Sequence, residues 1–83
     1  MKKVIMPKLG PDMESRIIQR WLKKEGEKVK VGDALLEIMT DKITLELEAT
    51  DYGYLKKILY FEGDEVPVTE TIAYIGKKNE KFP

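Results

Sequence analysis

Cysteine and histidine are both missing from these 83 residues. Without cysteine there are no disulfides and no thiolate metal sites. Without histidine the chain lacks the usual general base near neutral pH and the commonest metal ligand. The carboxylates are scattered and form no calcium-binding loop. Net charge is missing as well: 15 basic side chains balance 15 acidic ones. Nothing in that balance draws the chain to nucleic acid or to an anionic membrane. No apolar run approaches the ~20 residues of a membrane span. The opening MKKVIMPKLG has too short an apolar part, broken too early by Pro7, to be a signal peptide.

What remains is the composition of one small folded domain, 42% hydrophobic and 36% charged. A chain this short hides only roughly 60% of its unfolded surface, so its core must be compact. The domain is read as residues 1–78, with 79–83 as the start of a linker or tail. Its sequence repeats. EGEKVKVGDALLEI at 25–38 and EGDEVPVTETIAYI at 62–75 match at a constant offset of 37. Gly26 falls on Gly63, Val29 on Val66, Val31 on Val68, Leu35 on Ile72 and Ile38 on Ile75. Further back, Ile18 falls on Leu55, Trp21 on Ile58 and Leu22 on Leu59. Two units are too few for a solenoid. They imply two halves sharing one core about a quasi-two-fold axis.

Each half reads as short strands: 4–6, 16–22 and 34–39 in the first, and 43–49, 53–61 and 71–75 in the second. ITLELEA at 43–49 alternates with period two. Ile43, Leu45, Leu47 and Ala49 fall on one face, and Thr44, Glu46 and Glu48 on the other. Pro67 suits an edge or a bulge. Gly26 and Gly63 occupy matched turns that call for a positive φ. Gly53 is a third structural glycine, and its repeat mate is Arg16. Trp21 aligns with Ile58, which makes it a core residue more than a ligand platform. The class is all-β, a small flattened barrel or sandwich.

TDKI at 40–43 joins the two halves as a tight turn with Asp41 and Lys42 at its centre. Quasi-symmetry sets this hairpin at one end of the domain and the chain termini at the other. Lysine is an ordinary turn residue, and 13 are present. The alternative is that Lys42 is an attachment point, where acylation leaves a long neutral arm. Catalysis by this amine is disfavoured, because a turn tip supplies no pocket or neighbouring cation to lower its pKa.

MPKLG at 6–10, DME at 12–14, Trp21, EGEKVKVGDALLEI, TDK at 40–42, ELEA at 46–49, EGDEVPV and IAYIG occur in the order and spacing of a known family. The chain resembles the lipoyl domain of a dihydrolipoamide acyltransferase, the E2 component of 2-oxo acid dehydrogenase complexes. The resemblance implies two four-stranded antiparallel sheets with internal quasi-two-fold symmetry. It also implies lipoate in amide linkage on Lys42, as a swinging arm that shuttles acyl groups and reducing equivalents. The domain is then a non-catalytic carrier within a transferase. The partners implied are the thiamine-diphosphate-dependent dehydrogenase (E1), the E2 acyltransferase core, dihydrolipoamide dehydrogenase (E3) and a lipoate ligase or lipoyl transferase. No nucleic acid or membrane partner is expected, and the isolated domain is expected to be monomeric. The location would be cytoplasmic in a prokaryote and the mitochondrial matrix in a eukaryote.

Asp41 is assigned to recognition, and so are Asp12 and Glu14 in the loop LGPDME at 9–14. Four positions depart from the family pattern: Arg16 for Gly, Met39 for Glu, Thr50 for Pro and Thr69 for Gly. The rival readings are a biotinyl carrier, a glycine-cleavage carrier and an unmodified structural or docking module. The biotinyl family flanks its lysine with methionines, where this chain has Asp41 and Ile43. The glycine-cleavage carrier is longer, with added helical parts.

Overall fold

The computed structural model describes residues 1–8, 15–40 and 43–80. These residues form eight strands: β1 Lys2–Ile5, β2 Ser15–Trp21, β3 Lys28–Val29, β4 Ala34–Met39, β5 Thr44–Glu48, β6 Gly53–Ile58, β7 Glu65–Pro67 and β8 Thr71–Gly76. They make two four-stranded antiparallel sheets in the orders β1-β8-β6-β3 and β5-β4-β2-β7. The all-β fold read from the sequence is the fold found. The particle measures 38 × 22 × 20 Å.

Moving every strand four places along the chain converts one sheet order into the other. The pairing repeats in detail. Ile17↔Met39, Ile18↔Ile38, Arg20↔Glu37 and Trp21↔Leu36 recur, 37 residues on, as Tyr54↔Gly76, Leu55↔Ile75, Lys57↔Tyr74 and Ile58↔Ala73. The irregularity after Ile18 recurs after Leu55. Turn bonds follow the same rule: the Gly26 N–H donates to the Leu55 carbonyl at 2.7 Å, and the Gly63 N–H to that of Ile18 at 2.8 Å.

The core obeys the symmetry too. Ile18 and Leu55, Val29 and Val66, Leu35 and Ile72, Leu36 and Ala73, Ile38 and Ile75, and Met6 and Ala49 are all buried, two by two. Ile58 is buried as well, and its mate Trp21 packs against the same cluster. The Trp21 Nε1–H donates to the Tyr60 carbonyl at 2.8 Å, so the one polar atom of the indole is satisfied inside the fold.

Gly26 and Gly63 have φ of 93° and 88°, the matched turn conformations expected of them. Gly53 has φ 144°, and a Cβ there would lie 2.7 Å from the Gly76 carbonyl oxygen. Arg16 needs no such conformation and pairs regularly with Val66.

Three readings change. Ile43 is exposed rather than inward, because β5 begins only at Thr44 and Ile43 is held in the hairpin. The strand expected over 53–61 ends at Ile58, where the chain leaves for the Glu62–Gly63 turn as it leaves β2 after Trp21. β3, read only as part of a turn, is a short edge strand, and so is β7, where Pro67 takes the edge position expected of it because it lacks an N–H.

Candidate functional site

β4 and β5 run side by side to the last ladder pair, Met39↔Thr44. Three bonds then close the hairpin. The Thr40 N–H donates to the Ile43 carbonyl at 2.9 Å, the Thr40 hydroxyl donates to the same oxygen at 2.6 Å, and the Ile43 N–H donates to that hydroxyl at 3.1 Å. Threonine thus clamps the turn with backbone and side chain together, and its β-branch suits the strand end. Asp41 and Lys42 complete the connection and lie outside the described residues.

The chain ends occupy the equivalent place on the other sheet. Gly76, at the end of β8, matches Met39, and β1 stands to β8 as β5 stands to β4. The hairpin and the pole holding Met1 and the end of β8 are therefore at opposite ends of the barrel.

The offset linking β1 to β5 is 43 residues, whereas it is 37 for the other three pairs. Six extra residues stand between Lys8, which matches Asp51, and Ser15, which matches Tyr52. They are residues 9–14, and with them Asp12 and Glu14 lie outside the described residues. The flanks of this insertion are fixed at the hairpin's pole. Ile17 pairs directly with Met39, and Ser15 with Pro67. The Ser15 hydroxyl donates to the Glu65 carboxylate. The Arg16 Nε–H donates to the Pro7 carbonyl at 3.1 Å, tying the segment before the insertion to the strand after it. Arg16 is 3% exposed, and its two terminal nitrogens have no partner among the described residues.

Sequence reasoning had marked Arg16 only as a departure from a glycine pattern. Its role as a clamp across residues 9–14 had no signal, because the partner is a backbone carbonyl. An apolar rim was missed as well: Ile17, Met39 and Ile43 are exposed beside the hairpin. Outward-facing positions on a strand carry no periodicity that separates a rim from plain surface.

The model of the biotin/lipoyl family, described as Biotin-requiring enzyme, matches residues 2–75. The chain belongs to the biotin/lipoyl family. It is 45% identical over 95% of its length to the dihydrolipoyllysine-residue acetyltransferase component of the pyruvate dehydrogenase complex of Rickettsia conorii. It is 49% identical over 90% of its length to component 3 of the mitochondrial counterpart in Arabidopsis thaliana. These matches cover 19% and 14% of the relatives, so the chain spans under a fifth of either. Among solved structures, the lipoyl domain of the 2-oxoglutarate dehydrogenase complex from Azotobacter vinelandii superposes with a TM-score of 0.77. It is 27% identical, and the match covers 93% of this chain and 98% of that one. This biotin/lipoyl-family barrel has the lipoyl-domain fold.

Proposed function

We propose that this chain is the lipoyl carrier domain of a pyruvate dehydrogenase complex acetyltransferase, with lipoate in amide linkage on Lys42. The observation that carries the reading is the Thr40–Ile43 clamp, which closes the β4–β5 hairpin at the pole opposite Met1 and the end of β8. The relatives' names supply the chemistry. Lys42 lies between Asp41 and Ile43, without the paired methionines of a biotinyl site.

A dithiolane bound there would supply a redox-active acyl acceptor. The protein's own contribution is position. The clamp fixes Thr40 and Ile43 on either side of the connection, and the exposed rim of Ile17, Met39 and Ile43 gives a partner a surface to read. Tethering raises the effective concentration of the arm at each partner's site. On this reading the partners are a thiamine-diphosphate-dependent dehydrogenase, the acyltransferase core, dihydrolipoamide dehydrogenase and the enzyme that attaches lipoate. The place of work is the cytoplasm of a prokaryote or the mitochondrial matrix of a eukaryote.

The test is reductive acylation of the lipoylated domain by purified pyruvate and 2-oxoglutarate dehydrogenases, each with its own 2-oxo acid. Acylation by the pyruvate enzyme with a clearly higher kcat/KM is expected. Preference for the 2-oxoglutarate enzyme would move the domain to another complex. Failure with both would remove the carrier reading.

A further inference from the structure

The two sheets match strand for strand, yet their charges do not. Strands β1, β3, β6 and β8 carry Lys2, Lys3, Lys28, Lys56 and Lys57 and not one acid. Strands β2, β4, β5 and β7 carry Glu37, Glu46, Glu48 and Glu65, with Arg16 buried and Arg20 bound to Glu37 at 2.9 Å. Register makes the contrast sharper. Lys3–Tyr74–Lys57 forms one row across the first sheet. The equivalent row on the second is Glu46–Glu37–Arg20. Among the described residues none of the five lysines forms an ion pair. Lysines on an edge strand discourage pairing with other chains, which accounts for β1 and β3. It does not account for Lys57 on the inner strand β6, where the neighbouring Lys56 is held by the Lys78 carbonyl at 2.9 Å, and the edge strand β5 uses glutamates instead.

At the chain-end pole this cationic face runs into a cleft of about 620 Å³. Lys2, Lys28, Lys77 and Lys78 rim it, and Tyr52 and Tyr54 supply aromatic wall. Tyr52 is 81% exposed. The acids there are Asp51 and Glu80. The Glu80 carboxylate is already engaged by the Lys77 N–H and the Met1 amino group, both at 3.0 Å. These contacts hold its carboxyl below the usual range, the backbone bond contributing most.

We propose that the β1-β8-β6-β3 face and its cleft dock an extended acidic segment of a partner protein, with one aromatic side chain of that segment against Tyr52. The row through Tyr74 and the row through Gly76, Tyr54 and Lys28 are two residues apart along β8, about 7 Å, and the irregularity between Leu55 and Lys57 takes up the extra residue on β6. An extended peptide presents same-face carboxylates at that same spacing of about 7 Å. The zero net charge and the acidic opposite sheet favour a protein over a nucleic acid. The cleft lies at the pole opposite the Thr40–Ile43 clamp, and docking there does not depend on lipoate, so its test is independent of the carrier reading.

The isotope-labelled, unmodified chain is titrated by NMR with a ten-residue peptide of alternating glutamate and serine bearing one central phenylalanine. Saturable amide shifts confined to β1, β6, β8 and the cleft are expected, weakening several-fold as salt rises. K3E/K57E should weaken binding about tenfold or more, and K28E/K77E should do the same should the first pair fold poorly. Tyr52→Ala should weaken the phenylalanine peptide several-fold and leave its alanine counterpart unchanged. Shifts spread evenly over both sheets, indifference to the reversals, or tighter binding of oligouridylate through the same lysines would each overturn the proposal.

Discussion

The two four-stranded sheets share a register to the residue and differ in almost everything that faces outward. Buried positions pair off across the quasi-two-fold, as Ile18 does with Leu55 and Leu35 with Ile72. Outward-facing positions do not: Lys3 stands where the other sheet has Glu46, and half-buried Tyr74 where it has half-buried Glu37. One half carries six additional residues at 9–14, and the β4–β5 hairpin closes one pole where β1 and β8 stand open at the other. The fold resides in what the halves share. Function is to be sought where they part.

The sharpest way to break the comparison is at the matched positions Arg16 and Gly53. A Cβ at Gly53 would meet the Gly76 carbonyl oxygen at 2.7 Å, in a backbone conformation that side chains rarely adopt. Gly53→Ala is expected to lose about 2–4 kcal/mol by chemical denaturation, since strain of this kind costs ~1–3 and the contact adds to it. Arg16→Ala, on ordinary backbone, should lose clearly less. Equal losses would show that the two strands are not equivalent in conformation.

Next come the matched turns. Gly26→Val and Gly63→Val should each cost about 1–2 kcal/mol, for the same φ and with open space around both. Their losses should agree within about 0.5 kcal/mol, the ordinary scatter of surface effects. A wide gap between the two would mean that one half tolerates what the other does not.

Thr69 and Gly32 sharpen the comparison further. Thr69 holds φ 71° where its mate Gly32 holds φ 94°, and it is the one described residue other than glycine with positive φ. Thr69→Gly should raise stability by about 0.5–1 kcal/mol, relief of strain outweighing the added freedom of the unfolded chain. Gly32→Thr should lower it by about 1 kcal/mol. Melting points moving the other way would refute the assignment.

The smallest expected effect on stability belongs to the insertion. Asp12→Asn with Glu14→Gln should leave the melting temperature unchanged. It should slow acylation by the thiamine enzyme at low salt, with the difference fading as salt rises. Equal rates at every salt concentration would remove these acids from recognition.

Much of this was legible because the halves are written twice. Alternation in TLELE and the phase of the buried residues gave strands and core, and the doubled EG turns gave the symmetry. Ile43 escaped, because period two cannot say where a ladder stops. The overlong reading of 53–61 arose from the apolar run Ile58–Phe61. The repeat already held the correction, since the matching stretch runs through Trp21 and Leu22 into Lys23 and Lys24. The two shortest strands, Lys28–Val29 and Glu65–Pro67, lie below the length at which a pattern can be seen. Of the candidate site, its place at one pole was readable from the repeat. The Arg16–Pro7 clamp was not, because a side chain bonding a backbone oxygen leaves no trace in residue spacing.

Attachment of lipoate to Lys42, as proposed above, is tested most directly by mass. The chain is produced in cells supplied with both lipoate and biotin, and its intact mass is compared with that of Lys42→Arg. A single lipoyl adduct, absent from the variant, is the expected result. A biotinyl adduct, no adduct, or a lipoyl adduct that survives in Lys42→Arg would contradict it.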